Sequence, residues 1–369
     1  MIKLTIDVRA INNSGIGSYI KTLLPYLLHS EKFDICLLGN KETLYHAGFD
    51  DVHVVECRAN IYSIKEQIEV PYNASGCEIF WSPHYNIPLL PVRAKKRVVT
   101  IHDVYHLAYI DRLKPLEKIY ARVVLPMATW LSDKIITVSD FSKKEIVRYT
   151  HARPEKINVI CNGVEFDRFN NAKANPDLLK RYLLTKYILY VGNVKPHKNI
   201  IGLIDAFAIL HKMAHDIKLV IVGRKEQFIT GIQGLDKYIN KLGLEDHVVF
   251  TGVVDDNVLL SLYKGAIMFV FPSFYEGFGL PPIEAMASGT PVVASNAASI
   301  PEICGDAAVY VDPYNPGDIA NGMIKVLEDS NLRDTLVKKG IEKAKAFTWE
   351  SSASAHIKIF EELARADSL

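Results

Sequence analysis

Short apolar runs separated by helical spacers recur along this chain, and the series starts twice. Ile2, Leu4, Ile6 and Val8 alternate with Lys3, Thr5 and Asp7, which predicts a half-buried strand. Ser14-Gly15-Ile16-Gly17 reads as a turn, after which Ile20, Leu23, Leu24, Leu27 and Leu28 mark one helix face, with Pro25 inside it. Further strands are expected at Ile35–Leu38, Val52–Val55, Ile79–Ser82, Val98–His102, Lys134–Ser139 and Ile157–Cys161. A second series begins at Tyr187–Gly192 and continues at Leu219–Gly223, Val248–Gly252, Met268–Pro272, Pro291–Ser295 and Val309–Asp312. Runs this short with helical spacers predict parallel sheets buried on both faces. Two such series predict an α/β chain of two Rossmann-like, doubly wound domains. The expected domains are 1–165 and 176–349, joined by a polar stretch, with a last helix around Glu350–Ala364, within 350–369.

A length of 369 residues accommodates two cores. The net charge of +1 gives no argument for a nucleic-acid partner. Five scattered cysteines without C-x-x-C spacing read as reduced thiols, which points to the cytosol. No apolar run reaches the roughly 20 residues needed to span a bilayer. The first residues enter a strand directly, so no secretory leader is expected.

Chemistry concentrates in Phe274-Tyr275-Glu276-Gly277-Phe278-Gly279-Leu280-Pro281-Pro282-Ile283-Glu284. A buried strand enters a glycine-rich turn, and the two prolines suit the first turn of a helix, where a missing N–H leaves no bond unmade. Gly289 is a fitting stop. Backbone N–H groups from Gly277 to Leu280 and a helix N-terminus therefore converge on one anion-attracting spot. Two carboxylates beside it, Glu276 and Glu284, suit a ligand that also carries neutral hydroxyls, as a phosphorylated sugar joined to a ribose does. The bland reading, two solvated glutamates, does not account for the glycines and prolines around them.

Gly192-Asn193-Val194-Lys195-Pro196-His197-Lys198-Asn199 follows a strand and opens a helix, where α/β sheets bind ligands. Lys195 and Lys198 are candidates to neutralise a diphosphate, Lys198 being nearer the helix start. Gly15 and Gly17 form a short G-x-G after the first strand, lacking the third glycine of the dinucleotide fingerprint. His102 and Asp103 end a first-domain strand; Arg9, Asn12 and His84 are weaker candidates nearby. The basic run Arg93–Arg97 reads as a solvated face or, alternatively, as a contact for anionic lipid headgroups. No zinc-ligand spacing, nucleophile elbow or P-loop occurs.

These residues resemble the retaining glycosyltransferases of family 4, which have the GT-B fold. Glu276 to Glu284 matches the family's E-x7-E motif, and the resemblance extends through Gly15–Gly17, His102-Asp103, Val138-Ser139 with Ser142, Asn162-Gly163-Val164, Gly192–Asn199, Phe250-Thr251-Gly252 and on to Val293. It implies two Rossmann-like domains facing a cleft, acceptor on the first and nucleotide-sugar donor on the second, with the last helix returning to the first domain. It further implies that Glu276 holds sugar hydroxyls, Glu284 the ribose, and the amides of Phe278, Gly279 and Leu280 sugar and phosphate. Lys198 would neutralise the diphosphate, and His102 would lie near the reacting carbon. Gly15, Gly17, Asn193, Gly252 and Val253 join the implied donor set, while Asp103, Asn12 and His84 belong to the acceptor side. Many relatives carry an arginine where this chain has Asn193, so Lys195 or Arg224 is expected to supply the second cation.

The implied reaction is metal-independent hexosyl transfer, with no cofactor beyond the nucleotide-sugar co-substrate, because fixed N–H dipoles and lysines meet the charge of the leaving diphosphate. The overall look resembles bacterial mannosyltransferases of surface polysaccharide, favouring GDP-mannose, with other hexoses on UDP or GDP still open. The acceptor is expected to be a glycan or polyprenyl-linked glycan, with the enzyme cytoplasmic and peripheral at the inner membrane face. A sugar-nucleotide epimerase of the same fold and a non-catalytic sugar-nucleotide binding protein remain alternatives; an oxidoreductase fits poorly without G-x-G-x-x-G.

Overall fold

The computed structural model describes residues 1–74, 76–224 and 234–365; residues 366–369 of the expected last helix lie outside them. The chain divides into two compact units, Met1–Gly163 together with the chain from Trp349 onward, and Val164–Thr348. Five helices recur below: α1 (Ser14–His29), α2 (Pro115–Leu131), α3 (Ile200–His211), α4 (Leu280–Ala287) and α5 (Trp349–Arg365).

In the first unit, β1 (Ile2–Asp7), β2 (Phe33–Gly39), β3 (His53–Glu56), β4 (Cys77–Ser82), β5 (Ala94–Thr100), β6 (Lys134–Thr137) and β7 (Ile157–Val159) form one sheet in the order β3-β2-β1-β4-β5-β6-β7. Every pairing is parallel. Successive residues feed opposite faces: Val98 and Ile136 join the core under α1 and α5, whereas Val99 and Ile135 join the core under α2. The expectation that β1 is half-buried is corrected on this point. β1 lies between β2 and β4, and both Thr5 and Asp7 are buried along with Leu4 and Ile6. α1 also begins earlier than expected, at Ser14, so Gly15 and Gly17 lie in its first turn rather than before it.

In the basic run Arg93–Arg97, Arg93 and Lys95 are exposed, as expected of a solvated face, while Lys96 and Arg97 are partly buried. The segment runs into β5, where Lys95 and Lys96 each lie 3.9 Å from a carboxylate, of Glu78 and Asp133. The Arg97 guanidinium donates to the Pro88 carbonyl. At the far end of the chain, α5 packs on α1 and β4. The Tyr19 hydroxyl donates to His356 Nε2 at 2.6 Å, while His356 Nδ1 donates to the Ser352 carbonyl at 2.7 Å.

The second unit holds β8 (Tyr187–Val191), β9 (Lys218–Val222), β10 (Val248–Gly252), β11 (Met268–Phe271), β12 (Val292–Ser295) and β13 (Ala308–Val311), all parallel, in the order β10-β9-β8-β11-β12-β13. The order reverses between β8 and β11, as it does between β1 and β4 in the first unit. Loops leaving such a reversal diverge to opposite faces and leave a crevice at the carboxyl ends of the strands.

Candidate active site

In the second unit, the reversal point receives the two segments singled out by sequence. β8 ends at Val191 and its neighbour β11 at Phe271. Beyond β8 the backbone is crowded. A Cβ on Gly223 would lie 2.3 Å from the Gly192 carbonyl oxygen, and Gly223 has φ +139°. Asn193 Oδ1 accepts from the Arg224 N–H, and the Val194 N–H donates to the Arg224 carbonyl at 3.1 Å. Asn193 thus ties the β8 and β9 exits together, and Arg224 itself is exposed.

Pro196–Lys198 form one 3-10 turn, and Asn199 then caps α3 from the left-handed region. Its Oδ1 accepts from the Gly202 N–H, while its Nδ2 donates to the carbonyls of Pro272 (3.1 Å) and Pro313 (2.6 Å). One buried asparagine therefore holds the lysine loop to the β11 exit; the Phe274 N–H adds a bond to the His197 carbonyl at 2.8 Å.

This bracing sets Lys198 Nζ against Glu276, 2.5 Å from Oε1 and 2.7 Å from Oε2. The side chains are only 19% and 11% exposed. Lys198 has three N–H donors and Glu276 engages two, leaving one for a ligand oxygen. The Ser299 hydroxyl fixes the following turn from beneath, 2.9 Å from both the Glu276 and Phe278 carbonyls. Gly277 and Phe278 are buried, and Gly279 (φ +102°) stands at the start of α4, where a Cβ would lie 2.7 Å from Ile300 Cδ1. α4 opens at Leu280 without a side-chain cap, so its dipole points at whatever occupies the crevice.

Glu284, the fifth residue of α4 and so one turn inside it, accepts from the Tyr263 hydroxyl at 2.7 Å. Burial raises its carboxyl above the ordinary range; the Tyr263 bond and the nearby Arg168 charge pull it partly back. Gly252 has φ +70°, its carbonyl accepts from Gly223 N–H at 2.9 Å, and Val253 beside it is exposed. Lys195 is half-buried at the start of the 3-10 turn.

The first unit assembles the other candidates. A Cβ on Gly17 would lie 2.3 Å from the Ile11 carbonyl, which explains the glycine; Gly15 and Asn12 are exposed. His102 Nε2 donates to the Pro83 carbonyl at 3.0 Å and packs edge-on against Tyr19, and burial lowers its pKa. Asp103 accepts from the Tyr105 N–H at 2.9 Å, just before the short turn that follows. His84 Nδ1 accepts from the Asn86 N–H, and burial, then His102, His106 and Arg9, push its pKa down to about 3. Arg9 makes a two-pronged pair with Asp7 (2.9 and 2.7 Å) and a third bond to Glu66 (2.9 Å). Asp7, Arg9, Ser82, His84 and Asn86 line a notch of about 10 Å³, enough for one water or one hydroxyl, into whose wall the unpartnered Ser82 hydroxyl is built.

A family model described as "Glycosyl transferases group 1" matches residues 175–343, which include Lys198, Glu276 and Glu284. A second, "Glycosyltransferase Family 4", matches residues 79–168, which include His84 and His102. The chain is 33% identical to O-antigen chain mannosyltransferase B of Escherichia coli over 299 residues, 77% of this chain and 74% of that protein. The chain belongs to the group 1 and family 4 glycosyltransferases. This glycosyltransferase is also 32% identical to O-antigen chain mannosyltransferase RfbU of Salmonella typhimurium over 253 residues, 69% of this chain and 66% of that protein. It shares its GT-B fold with Anabaena HepE, whose crystal structure is in complex with UDP-glucose, at a TM-score of 0.76, 19% identity and full coverage of both chains.

Sequence reasoning passed over the glycosyltransferase's supporting residues. Tyr263, which bonds the Glu284 carboxylate, and Ser299, which bonds the Glu276 backbone carbonyl, sit on separate elements from those residues, and no local pattern ties them to the site. Asn199 carried a signal, a side-chain cap at a helix start, that was read only as part of the lysine loop. Glu66 lies outside every motif, and only the fold brings it to Arg9.

Proposed function

We propose that this enzyme transfers a hexosyl group, mannosyl from GDP-mannose, with retention of configuration, onto a glycan or polyprenyl-linked glycan destined for the cell surface. The observation that carries the reading is the Lys198–Glu276 pair beside the N-terminus of α4. In this reading the donor diphosphate lies against Lys198 and the amides of Phe278 to Leu280. Glu276 holds hydroxyls of the sugar and Glu284 those of the ribose. As the glycosidic bond breaks, negative charge gathers on the diphosphate, and the fixed cation and helix dipole stabilise it without reorganising. The leaving phosphate takes the acceptor's proton, and no divalent metal is required. Similarity to two O-antigen mannosyltransferases supports mannose and a surface polysaccharide. The UDP-glucose complex of HepE is the reason to test uridine donors beside guanosine ones. The cytoplasm is the proposed site of action.

The test is a thermal-shift comparison of GDP-mannose, UDP-glucose and ADP-glucose, followed by transfer of labelled sugar to a polyprenyl-diphosphate-linked glycan in the presence of EDTA. Ligand binding to the folded chain raises Tm by mass action. A shift with GDP-mannose and labelled product support the reading. An epimer formed from donor alone makes the protein an isomerase, and binding without turnover makes it a sensor; either result overturns it.

A further inference from the structure

α2 is apolar on two sides. Ala121, Val124, Leu125 and Ala128 face the core of the first unit. On the other side Leu116 (81% exposed), Ile119 (61%), Val123 (46%) and Trp130 (72%) face solvent. At 3.6 residues per turn these four fall within an arc of about 60° and extend over about 21 Å. Isolated apolar residues on a surface need no explanation, but a continuous stripe along one helix marks an interaction surface. A helix that is apolar on both faces is one covered on both.

The surroundings of the stripe identify its cover. Arg112, Lys114, Lys118 and Arg122 precede or border it, and at its far end Lys156 Nζ lies 3.4 Å from the Trp130 carbonyl. The nearby carboxylates are fewer and engaged: Glu117 accepts from the Lys114 N–H, and Asp111 pairs with Lys118 at 3.9 Å. An apolar stripe with a tryptophan at one end and an excess of cations along its border has the composition of a helix lying in the plane of an anionic bilayer. The other candidate for this role, Arg93–Arg97, has cations but no apolar stripe, with Ala94 as its one apolar residue. Among the described residues no helix is long and apolar enough to cross a membrane, so attachment by α2 would be peripheral.

We infer that α2 docks the first unit on an anionic lipid surface through Leu116, Ile119, Val123 and Trp130. The inference rests on this surface alone and is independent of which donor the enzyme uses. The molecule carries its own probe, since Trp81 and Trp349 are buried and Trp130 is the exposed one of three tryptophans. The full chain should co-sediment with phosphatidylcholine vesicles containing about one quarter phosphatidylglycerol, and binding should fall about ten-fold on pure phosphatidylcholine or at about 0.5 M salt. Tryptophan emission should shift to the blue on binding. Ile119→Asp should weaken sedimentation about ten-fold with Tm unchanged, and the charge reversal Lys118→Glu with Arg122→Glu should do the same if the aspartate variant fails to fold. Trp130→Phe should keep most of the binding but lose the blue shift. Absence of binding and shift overturns the inference, as does wild-type binding by the folded Ile119 variant. A concentration-dependent dimer abolished by Ile119→Asp, without vesicle binding, also overturns it and makes the stripe a self-interface.

Discussion

The Lys198 ammonium contacts both oxygens of the Glu276 carboxylate, 78 residues away in sequence, at 2.5 and 2.7 Å. Each group thereby fixes the charge that the other presents to a ligand. Lys198→Ala is expected to lower kcat by about 10²–10³, the loss seen when one preorganised donor to a developing anion is removed, with acceptor KM nearly unchanged. Glu276→Gln should also lower kcat, and the double variant should lose less than the product of the single losses, because the two residues act as a unit. Steady-state kinetics at saturating donor measure all three. Additive losses would separate the pair functionally.

The buried Glu284 carboxylate lowers stability at neutral pH. Its folded pKa is raised, so the unfolded chain ionises first as pH rises, and stability is lost between the ordinary glutamate pKa and the folded value. Glu284→Gln keeps an acceptor for the Tyr263 hydroxyl and removes the buried charge. It should raise Tm at neutral pH by about 2 °C, with the gain disappearing in acid, while weakening donor binding. Calorimetry across pH with a donor titration checks both halves.

Gly223→Ala tests the crowding behind the lysine loop. The added methyl would meet the Gly192 carbonyl at 2.3 Å from a left-handed backbone, which calls for a loss of about 2–4 kcal/mol. Urea unfolding should show this loss, with reduced donor affinity in whatever remains folded.

The buried triad Asp7–Arg9–Glu66 makes a different prediction. Arg9→Ala leaves two carboxylates facing each other without a cation, and about 3–5 kcal/mol should be lost at neutral pH. Burial already raises the Glu66 pKa, so mild acid should restore part of the loss by protonating it. Arg9→Lys should rescue poorly, since an ammonium cannot span Asp7 and Glu66 as the guanidinium fork does.

Buried histidines set the acid limit of the first unit. Burial holds His84 at about 3 and His356 at about 4, both below the ordinary 6.5. The unfolded chain therefore takes up protons that the folded chain refuses, so stability should fall as pH drops from about 6.5 toward 4. His356→Gln should flatten this slope in urea midpoints compared at about pH 7.5 and pH 5, whatever its effect at neutral pH.

Much of the fold was readable because a buried parallel strand must be apolar along its length, and each run singled out in sequence is a strand, with ends displaced by a few residues. β5 begins early because backbone pairing with β4 carries Lys95–Arg97 into the sheet, a long-range effect that no local pattern reports. The degree of burial of β1 was misjudged because alternation normally marks one wet face, and here Asp7 is buried only by virtue of Arg9. At the candidate site, the placement of Glu276 and Lys198 in the loops leaving β11 and β8 was legible because glycines and prolines punctuate the backbone around them. The pairing of Lys198 with Glu276, and the bonds from Tyr263 and Ser299, depend on strand order, which periodicity does not encode.

The Tyr19–His356 hydrogen bond joins residues 337 positions apart. A chain emerging from the ribosome can close Val164–Thr348 before Trp349 onward exists, whereas α1 waits for α5, which follows that whole second unit. The earlier of the two units is thus the later to close, and until α5 arrives the apolar face that α1 shares with it stays open to a chaperone.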